Sequence, residues 1–133
     1  MARPVLLIED NEQNRYLATF LLQQQGYTVV AAHDGASGID AARKHLPCVI
    51  VLDIQLPAMD GYAVARALRR IDALRDIPIV AVTSFAMTGD REKAIAAGCH
   101  GYIEKPINPD TFVASINSFA LPGHATEAAT RIT

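Results

Sequence analysis

The stretch Cys48-Val49-Ile50-Val51-Leu52-Asp53 guides the reading of the whole chain. Its five consecutive apolar residues are typical of a strand in a parallel sheet that is covered on both faces. The run ends at a carboxylate, and a turn segment that extends to Gly61 follows it. Because open α/β sheets carry their chemistry at the carboxyl ends of the strands, Asp53 is the first candidate functional residue.

Four further segments have the composition of strands, and a helical segment follows each of the five. The other predicted strands are Val5–Ile8, Tyr27–Ala32, Ile79–Val82 and Gly101–Glu104. The predicted helices span residues 11–25, 36–45, 61–71, 88–97 and 108–119. This alternation predicts a parallel sheet with helices on both faces. Right-handed crossovers leave few topologies, and we expect the flavodoxin-like, doubly wound order 2-1-3-4-5, with strands one and three adjacent.

Apolar residues at helical spacing predict how two of the helices pack. In the first helix, Leu17, Phe20 and Leu21 share one face. The fourth helix has a thin apolar stripe, in which Ile95 is supported only by alanines. We therefore expect the fourth helix to be the least firmly docked of the five.

Length, composition and charge narrow the class of protein. The 133 residues fit one domain, 50% are hydrophobic and 20% are charged. We expect one domain over residues 1–120 and a flexible tail or linker start over 121–133. A net charge of −2 provides no field that would favour nucleic acid. Cys48 and Cys99 are read as buried thiols, and without an apolar run of membrane-spanning length or a signal peptide we expect a cytoplasmic protein that binds no membrane.

Polar residues end four of the five predicted strands: Glu9 and Asp10, Asp53, Thr83 and Lys105. Two carboxylates about 5 Å apart repel each other by roughly 3 kcal/mol at an effective dielectric of 20, so three acids at one sheet edge call for a cation. Oxygen-only ligands favour Mg²⁺. We expect Asp10 and Asp53 to bind it directly, the backbone carbonyl of Gln55 to be a third ligand, and Glu9 to act through water.

A carboxylate beside Mg²⁺, a lysine and a threonine is suited to forming an aspartyl phosphate on Asp53. The sequence has no G-x-x-x-x-G-K-[ST] loop and no G-x-G-x-x-G loop that would hold a nucleotide. The expected phosphoryl donor is therefore another phosphoprotein or a small acyl phosphate.

Four motifs together give the chain a family resemblance. They are V-L-L-I-E-D-N at residues 5–11, V-L-D-I-Q-L-P-A-M-D-G at 51–61, V-A-V-T-S at 80–84 and Y-I-E-K-P at 102–106. The chain resembles the receiver domains of response regulators in bacterial two-component signalling. The resemblance implies Asp53 as phosphoacceptor, Glu9 and Asp10 as the magnesium pair, Thr83 and Lys105 as phosphate ligands, Tyr102 as an aromatic that changes rotamer on activation, and a cis bond before Pro106.

Two departures from the family pattern are small. Leu56 stands where methionine is commoner, and Glu9 stands where aspartate is commoner. Glu9-Asp10-Asn11 with Asn14, together with residues 83–87, are most similar to stand-alone cell-cycle regulators and to receivers attached to hybrid histidine kinases.

The resemblance also implies partners. The expected donor is a histidine kinase or histidine phosphotransferase that meets the first helix around Asn14, Arg15 and Ala18. The expected downstream protein binds the face formed by helix four, strand five and helix five, where Phe85 and Met87 would form a patch with Tyr102. We expect a monomer or weak dimer that catalyses only its own phosphorylation and dephosphorylation.

Three other functions remain open at this stage. A phosphatase of the haloacid dehalogenase type would need an acid at position 55, where the chain has Gln55. A flavin-binding protein would need a phosphate loop where Glu9 and Asp10 stand. A pseudo-receiver that only binds partners would not need the complete set of Asp10, Asp53, Thr83 and Lys105. Whether the chain is a stand-alone protein or an excised receiver is also left open.

Overall fold

Five parallel strands form the central sheet of the computed structural model, in the order β2-β1-β3-β4-β5. The structure describes residues 3–56, 59–84 and 89–121. In chain order the elements are β1 (Val5–Ile8), α1 (Glu12–Gln24), β2 (Val29–Ala32), α2 (Gly35–His45), β3 (Val49–Asp53), α3 (Gly61–Arg69), a 3₁₀ turn (Asp72–Leu74), β4 (Ile79–Thr83), α4 (Asp90–Ala96), β5 (Gly101–Glu104) and α5 (Pro109–Phe119). The predicted flavodoxin-like fold is confirmed.

Side-chain caps explain where several helices begin. The Asn11 side chain accepts the backbone N–H of Asn14 before α1, at 2.9 Å. Asn108 accepts the N–H of Asp110 at 2.9 Å, and Pro109 takes the first position of α5. Proline suits that position because the first turn of a helix leaves its N–H groups without helical partners. These two caps fix where α1 and α5 begin, each a few residues after a strand ends.

Alternate residues of the strands feed two apolar cores, one on each face of the sheet. Leu6 and Ile8 point to the core beneath α2, α3 and α4, while Val5 and Leu7 point to the core beneath α1 and α5. The central strands are buried on both sides, as their continuous apolar runs predict. Cys48 and Cys99 are buried thiols, and burial raises the pKa of each to about 11.

Two helix faces differ from the prediction. In α1 the buried residues are Ala18 and Leu22, whereas Leu17 is 36% exposed and Phe20 is 46% exposed. In α4 the buried residue is Ala94, and Ile95 is 61% exposed. Small side chains allow both helices to lie close to the sheet, so the larger apolar residues beside them stay outside.

Several element boundaries also differ from the prediction. The second strand begins at Val29, because β1 begins at Val5 and the two residues are opposite each other. Helix α3 ends at Arg69, because the backbone is extended at Ile71 before the 3₁₀ turn. Thr88 and the predicted tail beyond Leu121 lie outside the described residues. None of the helices in the described ranges is long and apolar enough to cross a bilayer.

Candidate functional site

Three acids meet at the carboxyl edge of the sheet, as their strand-end positions predicted. The parallel register pairs Ile8 of β1 with Leu52 of β3, so Glu9, directly after β1, lies beside Asp53, the last residue of β3. Glu9, Asp10 and Asp53 each offer a carboxylate oxygen, and these oxygens lie within 4.8 Å of one another. Glu9 is 3% exposed and Asp53 is 2% exposed, while Asp10 faces solvent. The site therefore combines two buried acids with one accessible acid.

Lys105 lies between the two buried acids. Its Nζ is 3.1 Å from Oε1 of Glu9 and 3.2 Å from Oδ2 of Asp53. The Lys105 backbone N–H donates to the carbonyl of Thr83 at 2.7 Å, which holds the Lys105 backbone next to the end of β4. The bond from Lys105 to Pro106 is cis, as the resemblance implied. One ammonium group thus neutralises part of the charge of two carboxylates.

Burial and the neighbouring charges shift the pKa values of Glu9 and Lys105. Burial, reinforced by a hydrogen bond with Asp53, raises the pKa of Glu9 to about 7. Burial opposes the charged form of Lys105, but Asp53 and Glu9 outweigh it, so the pKa of Lys105 is raised. Lys105 therefore stays charged, while Glu9 gains a proton near neutral pH far more readily than an ordinary glutamate does. The excess negative charge favours uptake of either a proton or a cation.

Gln55 connects the acid of β3 to the end of β4. Its backbone N–H donates to Oδ1 of Asp53 at 2.9 Å. Its side-chain Nε2 donates to Oγ1 of Thr83, and its Oε1 accepts the backbone N–H of Ser84 at 3.0 Å. From the sequence only the carbonyl of Gln55 was expected to act, as a metal ligand, and this side-chain bridge was not predicted. The available signal was a long amide two residues after Asp53, in the loop that follows the strand next to β4.

Arg15, which was expected only to meet the phosphodonor, also holds the backbone of the site. Its Nη1 donates to the carbonyl of Glu9 at 2.9 Å and to the carbonyl of Asp10 at 3.3 Å. The Asn11 backbone N–H donates to Oε2 of Glu9 at 3.1 Å. The turn from β1 to α1 is therefore held by its own first helical turn, which keeps both acids at the sheet edge.

Tyr102, predicted to be a switch residue, is half-buried on β5 and packs against the core beneath α3 and α4. Tyr62 of α3 donates its hydroxyl to the carbonyl of Asp90 at the start of α4, at 3.4 Å. Phe85 and Met87 lie outside the described residues, so the patch they were expected to form with Tyr102 stays a prediction.

The donor set fits a magnesium ion. The three acids offer oxygen ligands without sulfur or imidazole, which is the ligand chemistry that Mg²⁺ prefers. Asp10 is exposed, so an ion can enter from solvent.

Comparison with known proteins identifies the family. The family model of the response regulator receiver domain matches residues 5–117. The chain belongs to this family. Similar proteins include the polar-differentiation response regulator DivK of Brucella anthropi, which is 42% identical over 119 residues that cover 90% of this chain and 97% of DivK. DivK of Brucella ovis is 41% identical over the same shares.

Solved receiver structures have the same fold. The chemotaxis protein CheY4 of Vibrio cholerae superimposes with a TM-score of 0.85 at 28% identity, covering 90% of this chain and 99% of CheY4. The receiver domain of the sensor histidine kinase PA1611 from Pseudomonas aeruginosa, with magnesium coordinated in its active site cleft, gives a TM-score of 0.81 at 31% identity over 90% of this chain and 98% of that domain. The prediction that the chain belongs to two-component signalling is confirmed. Its acidic cluster lies within the residues that the structure describes.

Proposed function

We propose that this receiver is a phosphorylation-dependent signalling switch, in which Asp53 accepts a phosphoryl group from a phosphohistidine. The observation that carries the proposal is the setting of the Asp53 carboxylate. It is buried, one oxygen accepts the Gln55 N–H, and the other lies 3.2 Å from the Lys105 ammonium. A carboxylate held in this way is an oriented nucleophile beside a positive charge that can balance a phosphoryl group.

In the proposed transfer an oxygen of Asp53 attacks phosphorus, the O–P bond forms, and the P–N bond to the donor imidazole breaks. Lys105 balances charge on the phosphoryl oxygens, and the Thr83 hydroxyl at the end of β4 donates to one of them. Glu9, Asp10, Asp53 and the carbonyl of Gln55 would hold Mg²⁺. Bound Mg²⁺ supplies further charge neutralisation to the phosphoryl group.

The donor is proposed to be a histidine kinase or a histidine phosphotransferase that docks beside α1. A cleft of about 390 Å³ is lined by Asn14, Leu17, Ser84, Lys105, Pro106 and Ile107. Leu17, which the sequence analysis placed on a packed face, is an exposed apolar residue on this cleft. An apolar residue beside the lysine of the site supports contact with a donor helix here.

The output is proposed to be a change in protein binding on the face of α4, β5 and α5. Thr83 lies opposite Glu104 in the register of β4 and β5, so movement at Thr83 is adjacent to the strand that carries Tyr102. Helix α4 is short and its buried residue is Ala94, so little apolar packing is lost when the helix moves. We propose no activity on other substrates, and regard self-phosphorylation and dephosphorylation as the chemistry of the chain.

Acetyl phosphate tests the acceptor. Incubated with Mg²⁺ and acetyl phosphate, the protein is expected to gain one base-labile phosphoryl group by intact mass. Asp53→Asn should gain none, because an amide is not a nucleophile of this kind. Asp40→Asn, which changes an exposed acid of α2, is the matched control and should be modified like the wild type. Modification of Asp53→Asn, or steady turnover of phosphate monoesters by the wild type, would contradict the proposal.

A further inference from the structure

We propose that Gln55 is a positioning residue that holds Thr83 and Ser84 in the resting arrangement and thereby sets how easily the site takes up a phosphoryl group. The inference rests on the proposed function of Asp53. Its basis is the side-chain bridge from the loop after β3 to the end of β4, in which both ends of one amide are used.

The hydrogen-bond chemistry assigns the two ends of the Gln55 amide. The Ser84 backbone N–H can only donate, so the group 3.0 Å from it has to be the carbonyl Oε1. The Nε2 group then faces Oγ1 of Thr83 and donates to it. With a lone pair of Oγ1 engaged by Gln55, the direction of the Thr83 hydroxyl is restricted. Gln55 thus holds two consecutive residues at the place where β4 ends.

The bridge lies directly on the acceptor. The same Gln55 binds Oδ1 of Asp53 through its backbone N–H, at 2.9 Å. Asp53 and Thr83 are buried, so bulk water does not freely replace the hydrogen bonds that Gln55 makes to them. Asp53, Thr83 and Ser84 are therefore coupled through one residue.

A phosphoryl group on Asp53 competes with this bridge. It adds three strong acceptor oxygens beside the Thr83 hydroxyl and the Ser84 N–H. Those oxygens compete with Oε1 of Gln55 for the Ser84 N–H, and a shift of Thr83 toward them stretches its bond from Nε2. Formation of the phosphorylated arrangement therefore has to break the Gln55 bridge. The free energy of breaking it favours the resting arrangement.

Amide hydrogen exchange tests the resting part of the inference. Gln55→Met keeps a similar length and loses both hydrogen bonds. In the unphosphorylated variant the Ser84 amide is expected to exchange about tenfold faster, the scale of one net hydrogen bond. Gln24→Met, at the exposed end of α1, is the matched control and should leave this amide unchanged. Gln55→Ala serves the same purpose if the methionine variant does not fold.

Beryllofluoride, a non-covalent stand-in for the phosphoryl group, tests the coupling. In the presence of Mg²⁺ it is expected to bind Gln55→Met more tightly than wild type, by up to about tenfold, because no bridge has to break. A role confined to supporting the fold would weaken this binding or leave it unchanged. Thr83→Val should also speed exchange at Ser84, and the effects of the two substitutions should be non-additive, because they remove the same bridge.

The outcomes separate this inference from the proposed function. If wild type takes up phosphoryl on Asp53 but Gln55→Met leaves both Ser84 exchange and beryllofluoride affinity unchanged, the positioning role is overturned and the acceptor role stands. Weaker beryllofluoride binding or additive effects with Thr83→Val likewise overturn it. If wild type neither takes up phosphoryl nor binds beryllofluoride, the proposed function itself fails.

Discussion

At Glu9, burial and the neighbouring Asp53 oppose the charged form of the carboxyl group, whereas Asn11 and Lys105 favour it. It is buried beside Asp53, it accepts the Asn11 N–H, and its other oxygen lies 3.1 Å from Lys105. Burial nevertheless dominates, and the pKa of Glu9 rises to about 7. A folded protein that binds a proton more tightly than its unfolded chain loses stability as that proton is removed. Glu9 therefore contributes a stability term that changes with pH.

We predict that Glu9→Gln removes this term. The ordinary pKa of 4.5 applies to the unfolded chain and about 7 to the folded protein, so stability associated with Glu9 is present below pH 4.5 and lost as pH rises through 7. In metal-free buffer Glu9→Gln should match wild type near pH 4.5 and exceed it above pH 7, by at most about 3 kcal/mol. Urea unfolding across this range measures the difference. A difference that is constant with pH would contradict the assignment.

The residues of the site were predictable to the extent that strand ends determine them. Asp53 and Thr83 each end a strand and Glu9 directly follows one, and parallel strands bring such ends together. The pairing of Lys105 with both acids and the bridge made by Gln55 depend on side-chain rotamers, which no periodicity in a sequence encodes. The cluster was therefore predicted correctly, whereas its internal hydrogen bonds were not.

Among the elements, α4 depends on a side chain that belongs to α3. The guanidinium of Arg69 donates to the carbonyl of Gly98, just beyond α4, at 3.0 Å. It also donates to the carbonyls of Leu74, Arg75 and Ile77 in the segment that leads to β4. Gly98 has a φ of +101°, and a Cβ there would clash with Cγ of Arg69. Arg69 thus ties the carboxyl end of α4 to the α3–β4 connection.

We predict that Arg69→Met destabilises the fold by about 2–4 kcal/mol, because several carbonyls lose a charged donor at once. The neighbouring Arg70 is exposed, and Arg70→Met is the matched control, with an expected change within about 0.5 kcal/mol. Urea unfolding gives both values. Amide exchange should also quicken in residues 94–98 of the Arg69 variant more than in α5. Equal destabilisation by the two variants would rule out a specific anchoring role.

The presence of each strand and helix was predictable from the sequence. The face that each helix buries was only partly predictable. Continuous apolar runs made the strands unambiguous. In α1 and α4 the buried residues are alanines with one leucine, and the exposed residues include Phe20 and Ile95. A rule that assigns the largest apolar residue to the core fails where close approach to the sheet requires small side chains. The surplus apolar residues then lie on surfaces available to partners.

At the scale of the whole molecule, residues that are far apart in sequence meet at one site, the acidic cluster. Glu9 and Asp10 follow β1, Asp53 ends β3 and Lys105 follows β5, so the acidic cluster exists only when the sheet is assembled. Any ligand of the cluster therefore binds the folded chain in preference to the unfolded one, and its binding free energy adds to the stability of the entire domain.

Magnesium is accordingly predicted to stabilise the whole fold, by about 2.7 kcal/mol at a concentration one hundred times its dissociation constant. Asp10 is the test residue, because it is exposed and its replacement disturbs no packing. Without metal, Asp10→Asn should be as stable as wild type or slightly more stable, since one of three repelling charges is gone. With magnesium the order should reverse, because the variant lacks a ligand. Thermal unfolding with and without the ion measures this reversal, and Asp40→Asn controls for general charge. If Asp10→Asn gains as much stability from magnesium as wild type does, the ion is bound elsewhere and the acidic cluster is not its site.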